Sequence, residues 1–163
     1  MPNLLPTDAL LLVDVQNDFC PGGALPVAEG DRIVPILNRW IDAARAGGAL
    51  IVASRDWHPP GHVSFQERGG PWPAHCVRET AGAAFHAELN LPASATVFSK
   101  GTEVERDSYS AFGGTGLVEL LRRHGIPGSG SAGWRSMCAS GRRCWMLSRK
   151  DSRSISSKAP RDR

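Results

Sequence analysis

No stretch of this 163-residue chain approaches the ~18 consecutive apolar residues needed to cross a bilayer, so a membrane span is excluded. The opening MPNLLPTDALLL lacks both the basic n-region and the small-residue cleavage site of a secretory leader, so the chain is expected to stay in the cytoplasm. Cysteine is scarce, with residues 20, 76, 138 and 144 only. Without export, four thiols are expected to be reduced rather than a disulfide scaffold, and one of them to be reactive. Large aliphatic side chains are missing in one place. From 127 to 163, Leu147 and Ile155 are the only representatives of Val, Ile, Leu and Phe. The same segment holds nine Lys/Arg against two Asp, whereas residues 1–126 hold ten against fourteen Asp/Glu. The sequence pI of about 8.9 therefore belongs to the tail and does not describe a nucleic-acid-binding surface. What remains, 41% hydrophobic and 21% charged, is ordinary for one globular domain with a real core.

Residues 1–126 alternate strand and helix patterns. Ala9–Val15 is a continuous apolar run that suits a strand buried on both faces, as in parallel sheets. After a Gly/Pro-rich loop, Asp31 is placed to cap a helix whose apolar positions run from Ile33 to Ala44, stopped by Gly47 and Gly48. Ala49–Ser54 is a second strand leading to Asp56, and Thr96–Ser99 a third leading into Lys100. Between them lies a loop of about forty residues, a length that usually marks function. Gly116–His124 is an amphipathic helix. The order predicts an α/β fold: a three-layer, doubly wound parallel sheet with helices on both faces.

Ligands of such sheets bind beyond the carboxyl ends of the strands. There the sequence puts Asp14, Asp56 and Lys100. In extended backbone, Asp56 and His58 project to one side, because side-chain direction has period two. With His62 and His75 they offer an oxygen/nitrogen donor set suited to one divalent ion such as zinc, iron or manganese. Asp14, Lys100 and a cysteine form a candidate nucleophilic triad. A nearby ammonium favours the thiolate, and a carboxylate takes the thiol proton and returns it to a leaving amine. Spacing alone does not choose among the cysteines; Cys20 follows the first strand and Cys76 follows His75.

The segments LLVDVQNDFCPGGAL (11–25), SRDWHPPGHVSF (54–65), PWPAHC (71–76) and FSKGTEVERDSYSAF (98–112) closely resemble nicotinamidases, cysteine amidohydrolases of the isochorismatase-like superfamily. The resemblance covers roughly residues 8–126. It implies Asp14 as general base, Lys100 as electrostatic partner of the thiolate, and Asp56, His58 and His75 as metal ligands, with His62 a less regular neighbour. It implies Phe19, Trp72 and Tyr109 as walls of the nicotinamide pocket. It further implies an ion that binds the pyridine nitrogen, attack of the cysteine on the amide carbon, loss of ammonia, and hydrolysis of the thioester to nicotinate, a step of NAD salvage. The implied partner is a small molecule, with no nucleic acid and no membrane. The other readings are a related cysteine hydrolase of a different small amide and a non-enzymatic, metal-binding remnant.

The resemblance stops near Pro127. The family continues with a strand and a Gly-Leu-Ala-x-Asp-x-Cys turn that carries the nucleophile, whereas this chain reads GIPGSGSAGWRSMCASGRRC. A shifted reading frame accounts for it. Joining the last base of each codon to the first two of the next, the single codons of Met and Trp force valine at Met137–Cys138 and aspartate at Trp145–Met146. Trp134–Arg135 gives alanine or glutamate, and Cys138–Ala139 gives cysteine or arginine. Residues 127–161 can then be reread as a strand, the nucleophile turn, a helix and another strand in family order. The expected organisation is an intact domain part at 1–126 and a basic Ser/Arg tail at 127–163, lost or disordered, with Cys138 in register with the family nucleophile.

Overall fold

The computed structural model describes residues 4–108 and 110–126, and the backbone of 134–138. Four strands form one parallel sheet: β1 (Ala9–Val13), β2 (Leu50–Asp56), β3 (Thr96–Lys100) and β4 (Trp134–Cys138), in the order β3-β2-β1-β4. Helix α1 (Val34–Gly47) connects β1 to β2, and α2 (Leu117–Arg123) follows β3. The chain builds outward from β1 to β3 and then returns to the other side of β1. The switch point of the sheet therefore lies between β1 and β4.

Strand alternation sorts the core into two layers. Leu10, Leu12, Ile51 and Ala53 face α1, which buries Val34, Leu37, Ile41 and Ala44 at helical spacing. Ala9, Leu11 and Val52 face the other way, against Leu117 and Leu121 of α2 and against Ile126. The expected doubly wound, three-layer fold is thus formed. Pro35 sits in the first turn of α1, and Gly48, at φ +68°, closes its end by donating its N–H to the Ala44 carbonyl.

Four local expectations change. Asp31 does not cap α1; it lies inside a 3-10 turn, Gly30–Ile33, and the helix begins at Val34. β1 ends at Val13 rather than Val15, because Asp14 adopts φ +55° and breaks the extended run. β2 and β3 run further than expected, taking in Asp56 and Lys100 as register partners. Finally, a strand forms after residue 126 where the tail composition predicted none. The sequence WRSMC has no apolar alternation, but parallel pairing is made by the backbone, and β1 otherwise offers an unpaired row of N–H and C=O groups on that side. The rest of the tail, and the expectation that it is lost or disordered, lies outside the described residues.

The long loop between β2 and β3 holds only one helical turn, Gln66–Arg68. It is tied down by short pairings of His58 with Val77, Phe65 with Trp72 and Gln16 with Phe85. Among the described residues, no helix is long and apolar enough to cross a membrane.

Candidate active site

The endings of β1, β2 and β3 each deliver one charged group to the same edge. Asp14 follows β1, Asp56 closes β2 and Lys100 closes β3, all of them buried. The Lys100 ammonium lies 3.0 Å from Asp14 Oδ2 and also hydrogen-bonds Asp56 Oδ1. The Ser54 hydroxyl donates to Asp14 Oδ1 at 2.9 Å. Burial pushes the Asp14 carboxyl above its ordinary range against the pull of the Lys100 ammonium, and Asp56 alongside adds to the rise. Burial alone would depress Lys100, but the two carboxylates outweigh it and hold the ammonium above its usual value. A left-handed backbone at a non-glycine residue is strained, and it aims Asp14 at this cluster.

The histidines form the other half. His58 Nδ1 lies 3.0 Å from the Gly101 carbonyl, and His75 Nδ1 lies 2.8 Å from the Pro73 carbonyl. Each Nδ1 must carry the proton to donate to a carbonyl, which leaves both Nε2 lone pairs as donors. His58 Nε2 faces Asp56 Oδ1 at 3.9 Å, too far for a hydrogen bond. Burial, with His62 and His75 alongside, pulls His58 down to about 4, so the ring is neutral near pH 7. One ligand atom each from Asp56, His58 and His75 falls within 4.8 Å of the other two. Two carboxylates share one ammonium here beside the neutral His58 ring. That buried negative charge, with two oriented imidazole nitrogens and a carboxylate, fits a divalent cation.

His62 is adjacent but turned to other partners. Its ring lies against His58 at 4.3 Å between centroids, while Nδ1 meets the Ser64 hydroxyl at 2.7 Å and Nε2 meets the Arg106 carbonyl at 3.2 Å. It is not among the three converging donors. Phe19 is buried and meets the His75 ring edge-on at 5.7 Å. Trp72 lines the same cleft as Asp56, His58, His75 and Lys100. Tyr109 lies outside the described residues. The backbone of Cys138 ends β4 level with Val13, one residue before Asp14 on the neighbouring strand. Of the other cysteines, Cys20 and Cys76 are described, and their surroundings disfavour the thiolate. Burial raises Cys76 far above the ordinary thiol range, with Asp56 and Asp18 adding to it, and burial with Asp31 raises Cys20.

Sequence reasoning missed Ser54, Gly101, and two lining residues, Asp107 and Ser108. For Gly101 a signal existed in its place directly after Lys100.

A parallel sheet that gathers an aspartate, a buried ammonium and a donor triad at its carboxyl edge defines a class of hydrolase, and the chain belongs to it: residues 8–128 match the isochorismatase domain family. Within that superfamily it stands among the nicotinamidases. It is 44% identical over 143 residues to a nicotinamidase of Escherichia coli K12, covering 75% of this chain and 67% of the relative. Among solved structures it resembles the pyrazinamidase of Pyrococcus horikoshii in complex with zinc, with a TM-score of 0.76 and 50% identity over 82% of this chain and 70% of that one. It also resembles PnC1 from L. infantum in complex with nicotinate, with a TM-score of 0.71 and 35% identity over 84% and 69% of the two chains. The chain spans about two thirds of the length of the curated relatives it matches.

Proposed function

We propose that this chain is a nicotinamidase-type amidohydrolase that converts nicotinamide to nicotinate and ammonia, serving NAD salvage in the cytoplasm. The observation that carries the reading is the convergence of Asp56, His58 and His75 beside the Asp14–Lys100 pair at the carboxyl edge of the sheet. Asp14, buried and raised, takes the thiol proton of Cys138, and the Lys100 ammonium stabilises the resulting thiolate. The thiolate attacks the amide carbon. Asp14 returns the proton to the departing ammonia, then draws a proton from the water that hydrolyses the thioester. Asp56, His58 and His75 would hold a divalent ion, zinc being the first choice over iron or manganese, and that ion would supply Lewis acidity toward the pyridine ring, drawing charge from the carboxamide. Phe19 and Trp72, with Tyr109, wall the ring.

The tail tempers the rate. WRSMCAS lacks the Gly-Leu-Ala-x-Asp-x-Cys turn whose backbone N–H groups hold the oxyanion, and losing one such donor costs ~10²–10³ in rate. We infer a frameshift near Pro127, with 1–126 as the intact domain part and 127–163 as its product. Ammonia release from nicotinamide decides. The frame-restored chain should be active and lose activity with Cys138→Ala, and the chain with its present tail should be slower by orders of magnitude. Equal rates would refute the frameshift argument, and activity that survives Cys138→Ala would refute the thioester.

A further inference from the structure

Two residues shortly after Asp14, Gln16 and Asp18, bond to main-chain groups of Asp56 and of Cys76, the neighbour of His75. β1 ends at Val13, so beyond that point β2 loses its strand partner on the β1 side. The Gln16 side chain, fully buried, takes over. Its Nε2 donates to the Asp56 carbonyl at 2.7 Å, and its Oε1 accepts the Asp56 N–H at 2.8 Å. The side-chain amide thereby pairs with both backbone groups of Asp56, as a ladder residue would. The second Nε2 proton goes to the Ala83 carbonyl at 2.8 Å, so the clamp is saturated.

Asp18 acts two residues on. Its Oδ2 accepts the N–H of Cys76, the residue after His75, at 2.6 Å, and its Oδ1 accepts the Ala24 N–H at 3.1 Å. Cys76 is held at φ +46°, a strained conformation that persists only where its surroundings over-determine it. Its carbonyl in turn accepts the His58 N–H at 3.0 Å. One charge-assisted bond therefore secures the backbone link between two of the three donors. Gly82 packs so tightly over this carboxylate that a Cβ there would lie 2.2 Å from Oδ2, which leaves Asp18 little room to turn.

We infer that Gln16 and Asp18 are positioning residues for the cation site, fixing Asp56 and the His75–Cys76–His58 link through the main chain. This rests on the cation site of the proposed function. The test uses the full chain. Zinc affinity is measured by competition with a chromophoric chelator, the cobalt-loaded absorption spectrum reports ligand geometry, and the melting of metal-free protein reports folding. Asp18→Ala should weaken zinc binding about 10–100-fold and shift the cobalt spectrum, since removal of such supporting partners typically costs that much. Asp18→Asn keeps an oxygen acceptor and should stay within a few-fold of the parent. Gln16→Met should behave like Asp18→Ala; should it fail to fold, the Asp18 pair decides. Unchanged affinity in Asp18→Ala, or equal losses in both Asp18 variants, would overturn the inference alone. A parent chain that binds no zinc would overturn the cation site itself, and this inference with it.

Discussion

Replacing Gly101 by alanine should empty the cation site while leaving the chain folded. Gly101 follows Lys100 at φ +62°, and its carbonyl accepts the His58 Nδ1–H at 3.0 Å. A Cβ at this position would lie 2.4 Å from His58 Cε1 and 2.5 Å from Nδ1. Ordinary van der Waals contact begins near 3.4 Å, so the ring must retreat by about 1 Å. Metal-ligand distances tolerate only about ±0.2 Å, so a shift of that size removes His58 as a donor. The left-handed backbone adds roughly 1–2 kcal/mol of strain for a residue bearing a Cβ. On a domain of this size that lowers the melting temperature by only a few degrees. Chelator competition should therefore show at least a hundredfold weaker zinc binding beside a modest loss of stability. A Gly101→Ala variant that binds zinc like the parent would refute the argument, because it would mean that His58 is not held where the contact places it.

Asp14→Asn keeps the shape and the Ser54 contact but cannot take a proton, so ammonia release by the frame-restored chain should fall about 10²–10⁴-fold; retained activity would remove Asp14 from the base role. His58→Ala should lower the bound divalent metal per chain well below the parent value in elemental analysis, and equal contents would sink the donor assignment. Adding zinc at a hundred times its dissociation constant should stabilise the parent by about 2.7 kcal/mol, seen as a raised melting temperature that a chelator reverses. Leu37→Ala, at a fully buried position of α1 packed on the sheet, should cost about 2–5 kcal/mol in denaturant unfolding without changing zinc affinity.

Much of the site was legible because it follows from chain direction. Strands that run into Asp14, Asp56 and Lys100 bring those groups together in any parallel sheet, and the Asp-x-His spacing puts two donors on one side of an extended chain. His62 shows the limit of spacing. It sits in the same histidine-rich segment as His58, but its Nε2 partner, the Arg106 carbonyl, comes from 44 residues away. Gln16 was hidden for the same reason, since nothing local says that a side-chain amide will replace a missing strand. Asp31 looked like a helix cap, yet the extra 3-10 turn moved the start of α1 past it. β4 was unreadable because its pairing uses backbone groups, which carry no signature in WRSMC.

The placement of the site along the chain has a consequence for how it is assembled. Asp14, Asp56, His58, His75 and Lys100, and the Gly101 carbonyl that orients His58, are all encoded in the first 101 residues. Cys138, the nucleophile of the proposed function, enters from the fourth strand, 37 positions later, where its backbone pairs with β1. Domains form from the N-terminus as the chain is made. Asp14, Lys100 and the three converging donors are thus all translated before Cys138. On the proposed mechanism, a change in the downstream length can remove the nucleophile while leaving the cation donors and the Asp14–Lys100 pair in place.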